Sequence, residues 1–294
     1  MTKFIEHRNG RRTASKNIVV LYHGGCTDGF TAAWAAFRAL GATAEYIAVE
    51  HQVPPPEGLT GKTIYLLDFT YARDIMEQLI AQNERVTALD HHVSAREATM
   101  LTTDYRYDND KSGARIAWEY FHPNEPVPFL VRIVEDQDLH RYAIAETRAV
   151  ADWLDLYDFD FKLYTKLART LGSVTGLRRA LRRGEMVRQY RDKCIERLVA
   201  NASYEIQFAE FRVRAVNTEL YHVEVATAIA SGHPFGVVWR MRPNGVYVSL
   251  RSDEHGVNVA ELAQRYGGGG HFHAAGFLVR SLADIPFHSI EETT

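Results

Sequence analysis

The sequence predicts an α/β protein: a parallel-sheet domain with helices on both faces, a helical linker, and a smaller α+β C-terminal domain. Three observations support this fold class. Four apolar runs within the first 90 residues lack polar alternation, which is typical of strands buried on both faces. Helical patterns separate these runs, as crossover connections between parallel strands require. After residue 201 the pattern changes to short β-like runs joined by turns.

The predicted elements of the N-terminal half follow one another in regular alternation. The first strand contains the continuous apolar run from Ile18 to Leu21, and a proline-rich loop at 54–56 separates the second strand from the third. We expect strands over residues 17–23, 44–49, 63–68 and 85–90, and helices over 31–40 and 72–83.

A mainly helical region is expected over about 112–197. Its last part carries eight arginine and lysine residues between Leu177 and Val199. The favoured interpretation is the solvated face of a long connecting helix, and the alternative is a basic wall that guides an anionic substrate.

Short strands and turns dominate the C-terminal part. A strand is expected over 211–216, and a hairpin over 235–241 and 246–250 around the turn residues 243–245. A short helix over 257–266 then leads into the glycine run 267–270. The predicted organisation is a first domain over 1–176, a helical linker over 177–204 and a second domain over 205–294.

The bulk composition is that of an ordinary globular protein. The 294 residues carry a net charge of −3, with 46% hydrophobic and 24% charged residues. No apolar stretch approaches the roughly 20 residues that span a bilayer, and the polar segment 1–16 does not resemble a secretion signal. We therefore expect a cytoplasmic protein with no membrane partner. A homodimer is left open. Two cysteines are too few for a disulfide framework.

Polar residues of the types that bind metals follow three of the predicted strands. Because the carboxyl ends of parallel strands meet at one edge of the sheet, these residues should converge there. A lone aspartate after a strand is often a helix N-cap. Several together with two adjacent histidines favour a divalent cation, since burying carboxylates without one is costly. Mixed histidine and aspartate ligands favour manganese or magnesium. The residues are His23, Asp28, Asp68, Asp90, His91 and His92.

These residues lie in motifs that resemble the DHH phosphoesterase family, including its nanoRNase-type and exopolyphosphatase-related members. Asp90-His91-His92 resembles the family signature, 67–71 its second motif, 22–29 its first and 134–139 its fourth. Residues 268–276 resemble the glycine-rich motif of the family's associated C-terminal domain, and 249–252 resemble the strand motif before it. The resemblance therefore covers almost the whole chain.

The resemblance implies a centre of two Mn²⁺ ions, with Mg²⁺ or another divalent ion as an alternative. Asp68 would bridge the two ions, His92 would face the scissile phosphate, and Asp90 would orient the neighbouring groups. In the fourth motif Asp136 is preferred over Asp138, because its spacing to 140–142 parallels the family's spacing to an aromatic stretch. The implied ligands are His23, Asp28, Asp68, His91 and Asp136.

One position departs from the family pattern, since Cys26 stands where an aspartate is common. Its thiolate could bind a metal, or the side chain could line the site without binding. The C-terminal domain would bind phosphate through close backbone N–H groups and charge-assisted donors. The residues implied for this role are Arg251, Gly269, Gly270 and His271.

The leading functional hypothesis is a hydrolase that cleaves phosphodiester bonds of short oligonucleotides with a metal-activated water. Two metal ions lower the pKa of a water and neutralise the phosphate, which is the chemistry that an inert diester needs. An alternative within the family is a phosphatase for nucleotide monoesters or an exopolyphosphatase. An alternative of another class is an inactive nucleotide-binding sensor. The expected partner of the protein is a short oligonucleotide or a nucleotide phosphate.

Overall fold

The structure is a computed structural model that describes residues 16–50 and 53–290. The chain divides into two compact units between Val187 and Arg188, and each is described by itself. This boundary lies within the segment 177–204 that the sequence assigns to the linker. The polar segment 1–16, which does not resemble a secretion signal, lies outside the described residues except for Lys16.

The first unit contains a five-stranded parallel sheet with strand order β2-β1-β3-β4-β5. The predicted α/β fold class is confirmed. The edge strand β5 was not predicted, because Asp104 and Arg106 interrupt its apolar pattern. The strands are β1 Ile18–His23, β2 Ala44–Val49, β3 Thr63–Leu67, β4 Arg85–Asp90 and β5 Asp104–Tyr107.

Eight helices accompany this sheet within the described part of the chain, with the last one continuing into the second unit. They are α1 Thr27–Leu40, α2 Arg73–Gln82, α3 Arg96–Thr99, α4 Gly113–Phe121, α5 Phe129–Asp138, α6 Thr147–Leu154, α7 Phe161–Leu171 and α8 Val174–Ala202.

Helices cover both faces of the parallel sheet. On one face, Val20 of β1 belongs to a core that includes Trp34 of α1 and Trp118 of α4. On the other face, Leu21 belongs to a separate core that includes Met76 of α2. Successive residues of β1 therefore point into two cores, which explains why its sequence lacks polar alternation.

Helix α1 begins at Thr27, four residues before the predicted start at Thr31. The polar and glycine residues of this first turn do not show the apolar pattern used to predict it. A Cβ atom at Gly29 would overlap the backbone of His23. Glycine at this position therefore lets the first helical turn pack directly on the end of β1, which brings Asp28 beside the strand ends.

Helix α8 is largely solvated among its described residues, with only Ala180 and Gly184 buried along it. Most of its arginine and lysine side chains are exposed, as expected for the solvated face of a connecting helix. No described helix combines the length and the apolar character needed to cross a membrane.

The second unit contains a seven-stranded sheet with order β10-β11-β9-β8-β7-β6-β12, in which only β7 and β8 pair in parallel. The predicted hairpin is formed by β8 and β9. The elements are β6 Tyr204–Phe208, β7 Phe211–Asn217, α9 His222–Ala230, β8 Gly236–Arg242, β9 Gly245–Arg251, α10 Val259–Gln264, β10 Gly269–His271, β11 Ala274–Val279 and β12 Phe287–Ser289.

Gly184 of α8 permits a close approach to α6. A Cβ atom at this position would overlap the Ala149 carbonyl. We expect Gly184→Ala to lower the free energy of unfolding by about 1–3 kcal/mol, the usual cost of overpacking. Gly172→Ala is the matched control, because a Cβ there meets only ordinary contacts at 3.5 Å, and its effect should stay within about 0.5 kcal/mol. Urea unfolding of both variants makes the comparison, and equal losses would contradict it.

Candidate metal centre

The carboxyl ends of β1, β3 and β4 bring two groups of metal-type ligands to one edge of the parallel sheet. Within each group the ligand atoms lie within 4.8 Å of one another. Asp68, which follows β3, also groups with His91 and His92, so it connects the two sets. The first group is His23, Cys26 and Asp68, and the second is Asp28, His91 and Asp138.

The Asp68 carboxylate occupies the middle of this arrangement. Its Oδ2 lies 3.4 Å from His23 Nδ1, and its Oδ1 lies 3.2 Å from His91 Nε2. The residue is buried and has φ 64°, in the left-handed region that a residue with a Cβ rarely adopts. A Cβ at Gly113 would overlap the Asp68 side chain, so glycine at the start of α4 makes room for this carboxylate.

Three carboxylates compete electrostatically in this small volume. Burial raises the pKa of Asp28 well above its usual range, and the charges of Asp68 and Asp138 raise it further. Burial and the Asp68 charge likewise raise the pKa of Asp138. For Asp68, burial acts in the same direction but the contacts with His23 and His91 outweigh it, and its pKa falls to about 2. Bound cations would remove this conflict by favouring the ionised form of every carboxylate.

Several buried polar atoms of the centre make no well-aligned hydrogen bond to any described residue, even where a neighbouring polar atom lies within 3.4 Å. They are His23 Nδ1, Asp68 Oδ1 and Asp138 Oδ2. Buried polar atoms are normally satisfied, and all three atoms belong to the two ligand groups. The donor set of imidazoles, carboxylates and one thiol therefore fits divalent metal ions.

Asp28 has a structural role as well as a place in the second group. Its Oδ2 accepts a hydrogen bond from Gly113 N at 2.6 Å, and its Oδ1 accepts one from Ala114 N at 3.1 Å. Asp28 therefore helps to cap the N-terminus of α4, which is not the helix that the N-cap alternative for such aspartates concerned, since Asp28 itself lies in the first turn of α1. Each carboxylate oxygen has a second lone pair, so capping and metal binding are compatible.

In the fourth motif the structure favours Asp138 over the predicted Asp136, because the Asp136 carboxylate accepts three hydrogen bonds from the segment that follows α5 and belongs to no ligand group among the described residues. Oδ1 accepts from Ala143 N at 2.9 Å, and Oδ2 accepts from Ile144 N at 3.1 Å and from the Thr147 hydroxyl. Asp138 instead has Oδ2 at 3.7 Å from His91 Nε2. Residues two apart on a helix face different directions, so only one of the two can point to the centre. We therefore propose Asp138 as the ligand.

Asp90 and His92 form a coupled pair beside the ligand groups. The fully buried Asp90 accepts hydrogen bonds through Oδ1 from the backbone N–H groups of His91 and His92, at 2.7 and 3.0 Å. The His92 ring donates from Nδ1 to the same oxygen at 2.8 Å. This hydrogen bond raises the pKa of His92 to about 8, although burial acts against it. Asp90 thus fixes the ring orientation and favours its protonated form.

Cys26 lies in the first ligand group, immediately before α1. Burial and the nearby Asp68 charge raise the pKa of its thiol to about 12. Without a cation the side chain is therefore a neutral thiol. Metal binding would favour its thiolate, because a coordinating thiol is deprotonated.

The phosphate-binding residues implied for the C-terminal domain lie together in the second unit. His271 of β10 pairs with Ala274 of β11, which in turn pairs with Arg251 of β9. Paired residues of an antiparallel sheet point to the same face, so Arg251 and His271 flank Ala274 on one side. Gly269 and Gly270 precede His271 in β10 and are exposed, which leaves this backbone accessible to a ligand.

Two supporting residues were not predicted from the sequence. Gly113 makes room for Asp68, and the Thr70 hydroxyl donates to Asp90 Oδ2 at 2.8 Å. Thr70 lies two residues beyond Asp68 in the same loop, and this proximity was the available signal. Gly113 lies far in sequence from every candidate ligand and approaches Asp68 only in the folded structure. No local sequence pattern therefore identified it.

Comparison with known families places residues 224–287 in the DHHA1 domain. The match covers β8–β11, α10 and all of α9 except its first two residues. The chain therefore carries a DHHA1 domain, and this match confirms the resemblance to DHH phosphoesterases that the motifs indicate.

Individual proteins and solved structures are similar to this chain at low sequence identity. An uncharacterized protein of Acanthamoeba polyphaga mimivirus is 26% identical over 300 residues, which cover 93% of this chain and 70% of that protein. Among solved structures, a pGpG-specific phosphodiesterase from Vibrio cholerae is 15% identical with a TM-score of 0.48, covering 92% of this chain and 95% of its own. An exopolyphosphatase-related protein from Bacteroides fragilis is 12% identical with a TM-score of 0.46, covering 90% and 87%.

Substitution of the two fourth-motif aspartates should separate metal binding from stability. We expect Asp138→Asn to weaken Mn²⁺ binding by about tenfold or more, since even residues behind the ligands contribute this much. Asp136→Asn should instead lower the free energy of unfolding by about 1–3 kcal/mol, because its amide would face two backbone donors. Calorimetric titration with Mn²⁺ and urea unfolding measure both quantities for both variants. The reverse assignment of effects would restore Asp136 as the ligand.

Removal of the Asp90 charge should change the pKa of His92. In the metal-free protein, Asp90→Asn should lower the pKa of His92 from about 8 toward its usual value of 6.5, because the favourable charged partner is lost. Titration of the histidine ring resonances by NMR measures this change. Thr70→Val serves as the control, since it removes the other hydrogen bond of Asp90 but leaves the charge. An unchanged His92 pKa in Asp90→Asn would show that Asp90 does not hold the ring.

Proposed function

We propose that this chain is a manganese-dependent phosphoesterase that hydrolyses phosphodiester bonds of short oligonucleotides. The observation that carries the proposal is the pair of ligand groups joined by the single buried carboxylate of Asp68. The DHHA1 domain over 224–287 supports it, since this domain accompanies the DHH motifs that the N-terminal half displays.

Each ligand group would hold one divalent ion, with Asp68 contributing to both. When bound, the ions would neutralise phosphate charge and lower the pKa of the attacking water. Imidazole and carboxylate ligands suit Mn²⁺. The ligands would be His23, Cys26 and Asp68 for one ion, and Asp28, His91 and Asp138 for the other. Asp68 would also serve the second ion, because its Oδ1 lies 3.2 Å from His91 Nε2.

His92 contributes directly from the protein. Its Nδ1 donates to Asp90, so the protonated ring has Nε2–H free to donate elsewhere. The side chain remains 44% exposed, which leaves it accessible to a substrate. We assign it the role of stabilising charge on the phosphoryl group or of protonating the leaving oxygen.

The second unit, taken by itself, would bind a phosphate group of a substrate. Arg251 and His271 lie on the same side of neighbouring strands and supply charged donors. Gly269 and Gly270 let backbone N–H groups approach an anion closely. A binding site built from a few donors suits a short oligonucleotide, because a long strand needs an extended basic groove.

Two substitutions test the proposed chemistry. Asp68→Ala should abolish Mn²⁺-dependent cleavage of labelled dinucleotides, because it removes the carboxylate that would serve both ions. Arg251→Ala should mainly raise KM, by roughly 10- to 150-fold, as expected for the loss of a charge-assisted hydrogen bond worth about 1.5–3 kcal/mol. Arg280→Ala, at an exposed position outside both sites, is the control and should behave as the wild type. Near-normal turnover by Asp68→Ala would refute the central role of this carboxylate.

The products distinguish this function from its alternatives. Cleavage of a dinucleotide yields nucleoside monophosphates, whereas a monoester phosphatase or exopolyphosphatase releases inorganic phosphate. A wild-type protein that binds nucleotides but gives no product with added Mn²⁺ would be a sensor. The proposal predicts nucleoside monophosphates as the main product, and it fails if inorganic phosphate predominates or if no product forms.

A further inference from the structure

An apolar cavity of about 430 Å³ opens beside the ligand groups, within the first unit alone. We propose that this cavity holds a nucleobase of the substrate, next to the phosphate that the centre would bind. The inference rests on the proposed function and specifies the chemical class of the group adjoining the phosphate. Its volume is within the range of small-molecule sites, about 300–1,000 Å³.

The cavity shares one wall with the candidate metal centre. His23, Asp68 and His92 line it together with residues from β2, α2 and the loops that follow β2, β3 and β4. An occupant of the cavity would therefore lie directly against the side chains that would contact phosphate. The base and the phosphate of one nucleotide are close together, so a site for the base must adjoin the site for the phosphate.

The remaining walls suit a planar organic group. Phe69 and Tyr71 lie with ring centroids 5.1 Å apart at an interplanar angle of 85°, so they present surfaces at right angles. A base can stack on one aromatic face while its edge meets the other ring. The other apolar lining residues are Val49, Val53, Pro54, Ala72, Ile75 and Ala95.

A polyanionic chain fits the same walls poorly. Among the described residues that line the cavity there is no lysine or arginine, and Glu50 contributes a carboxylate. A run of phosphates would bury negative charge without a compensating cation on this side, which is costly. An uncharged group with a polar edge avoids this cost.

Residues with hydroxyl groups are also among those that line the cavity. The Ser94 side chain lines it and is exposed. The Tyr71 hydroxyl is buried and has no hydrogen bond to any described residue. Burial raises the pKa of Tyr71 to about 12, so the hydroxyl keeps its proton. A few polar groups within apolar walls are the usual composition of a site that recognises an organic ligand.

Ala72 provides the test position, because it lines the cavity, is exposed and makes no capping hydrogen bond at the start of α2. Ala72→Trp should fill the cavity, whereas Ala72→Ser should leave it open. The measurement is calorimetric binding of a nucleoside 5′-monophosphate and of inorganic phosphate, each in the presence of Mn²⁺. The wild type should bind the nucleotide about tenfold more tightly than phosphate, as expected for one stacked base.

Ala72→Trp should remove this preference and leave the affinity for phosphate unchanged, while Ala72→Ser keeps it. Val53→Asp, at an exposed lining position, should reduce the preference as well and covers the case in which Ala72→Trp does not fold. Equal affinities of the wild type for nucleotide and phosphate would overturn the inference. A full preference in the folded Ala72→Trp or Val53→Asp variant would also overturn it.

Binding equilibria do not require turnover, so this inference and the proposed hydrolysis fail separately. A wild type that prefers the nucleotide, loses the preference in Ala72→Trp and cleaves no dinucleotide supports the base site and contradicts the hydrolase. A wild type that cleaves dinucleotides but shows no preference for the nucleotide over phosphate supports the hydrolase and contradicts the base site.

Discussion

The buried carboxylate of Asp68 is the constraint on which the rest of the centre depends. It lies between His23 and His91, in a left-handed backbone conformation, against a glycine that leaves room for it. Burial and the Asp68 charge together raise the pKa values of two neighbouring carboxylates, Asp28 and Asp138, so the carboxylates of the centre disfavour one another's ionised forms. The left-handed backbone conformation of Asp68 persists only because the surrounding fold fixes it. The parallel sheet provides that support, because three strand ends meet at one edge.

The N-terminal fold was predictable because its strands are buried on both faces and therefore lack polar alternation. Polar residues that follow such runs stand out, and this made His23, Asp68 and His91 recognisable. The short strand β5 carries polar residues at an edge and left no such pattern. In the second unit, Gly269–His271 form a strand, whereas a glycine run predicts a loop. Pairing with β11 gives residues 269–271 their extended conformation. The partner of a strand cannot be identified from the local sequence.

Spacing could not decide between Asp136 and Asp138. The turn that follows α5 supplies two backbone N–H groups and a hydroxyl to Asp136, which leaves only Asp138 free to face His91. The cavity was equally hidden from the sequence, since its walls come from segments that meet only after folding. The two features together give one picture: charged groups for the phosphate on one side and apolar walls for a base on the other.

The most direct test of this account is the electron paramagnetic resonance spectrum of the protein titrated with Mn²⁺. Two ions per chain with a spin-coupled signal are predicted for the wild type, because the Asp68 carboxylate would serve both ions. In Asp68→Asn the coupled signal should disappear while the Asp138 carboxylate and the histidines remain. A single uncoupled ion in the wild type, or an unchanged coupled signal in Asp68→Asn, would contradict a centre organised around this carboxylate.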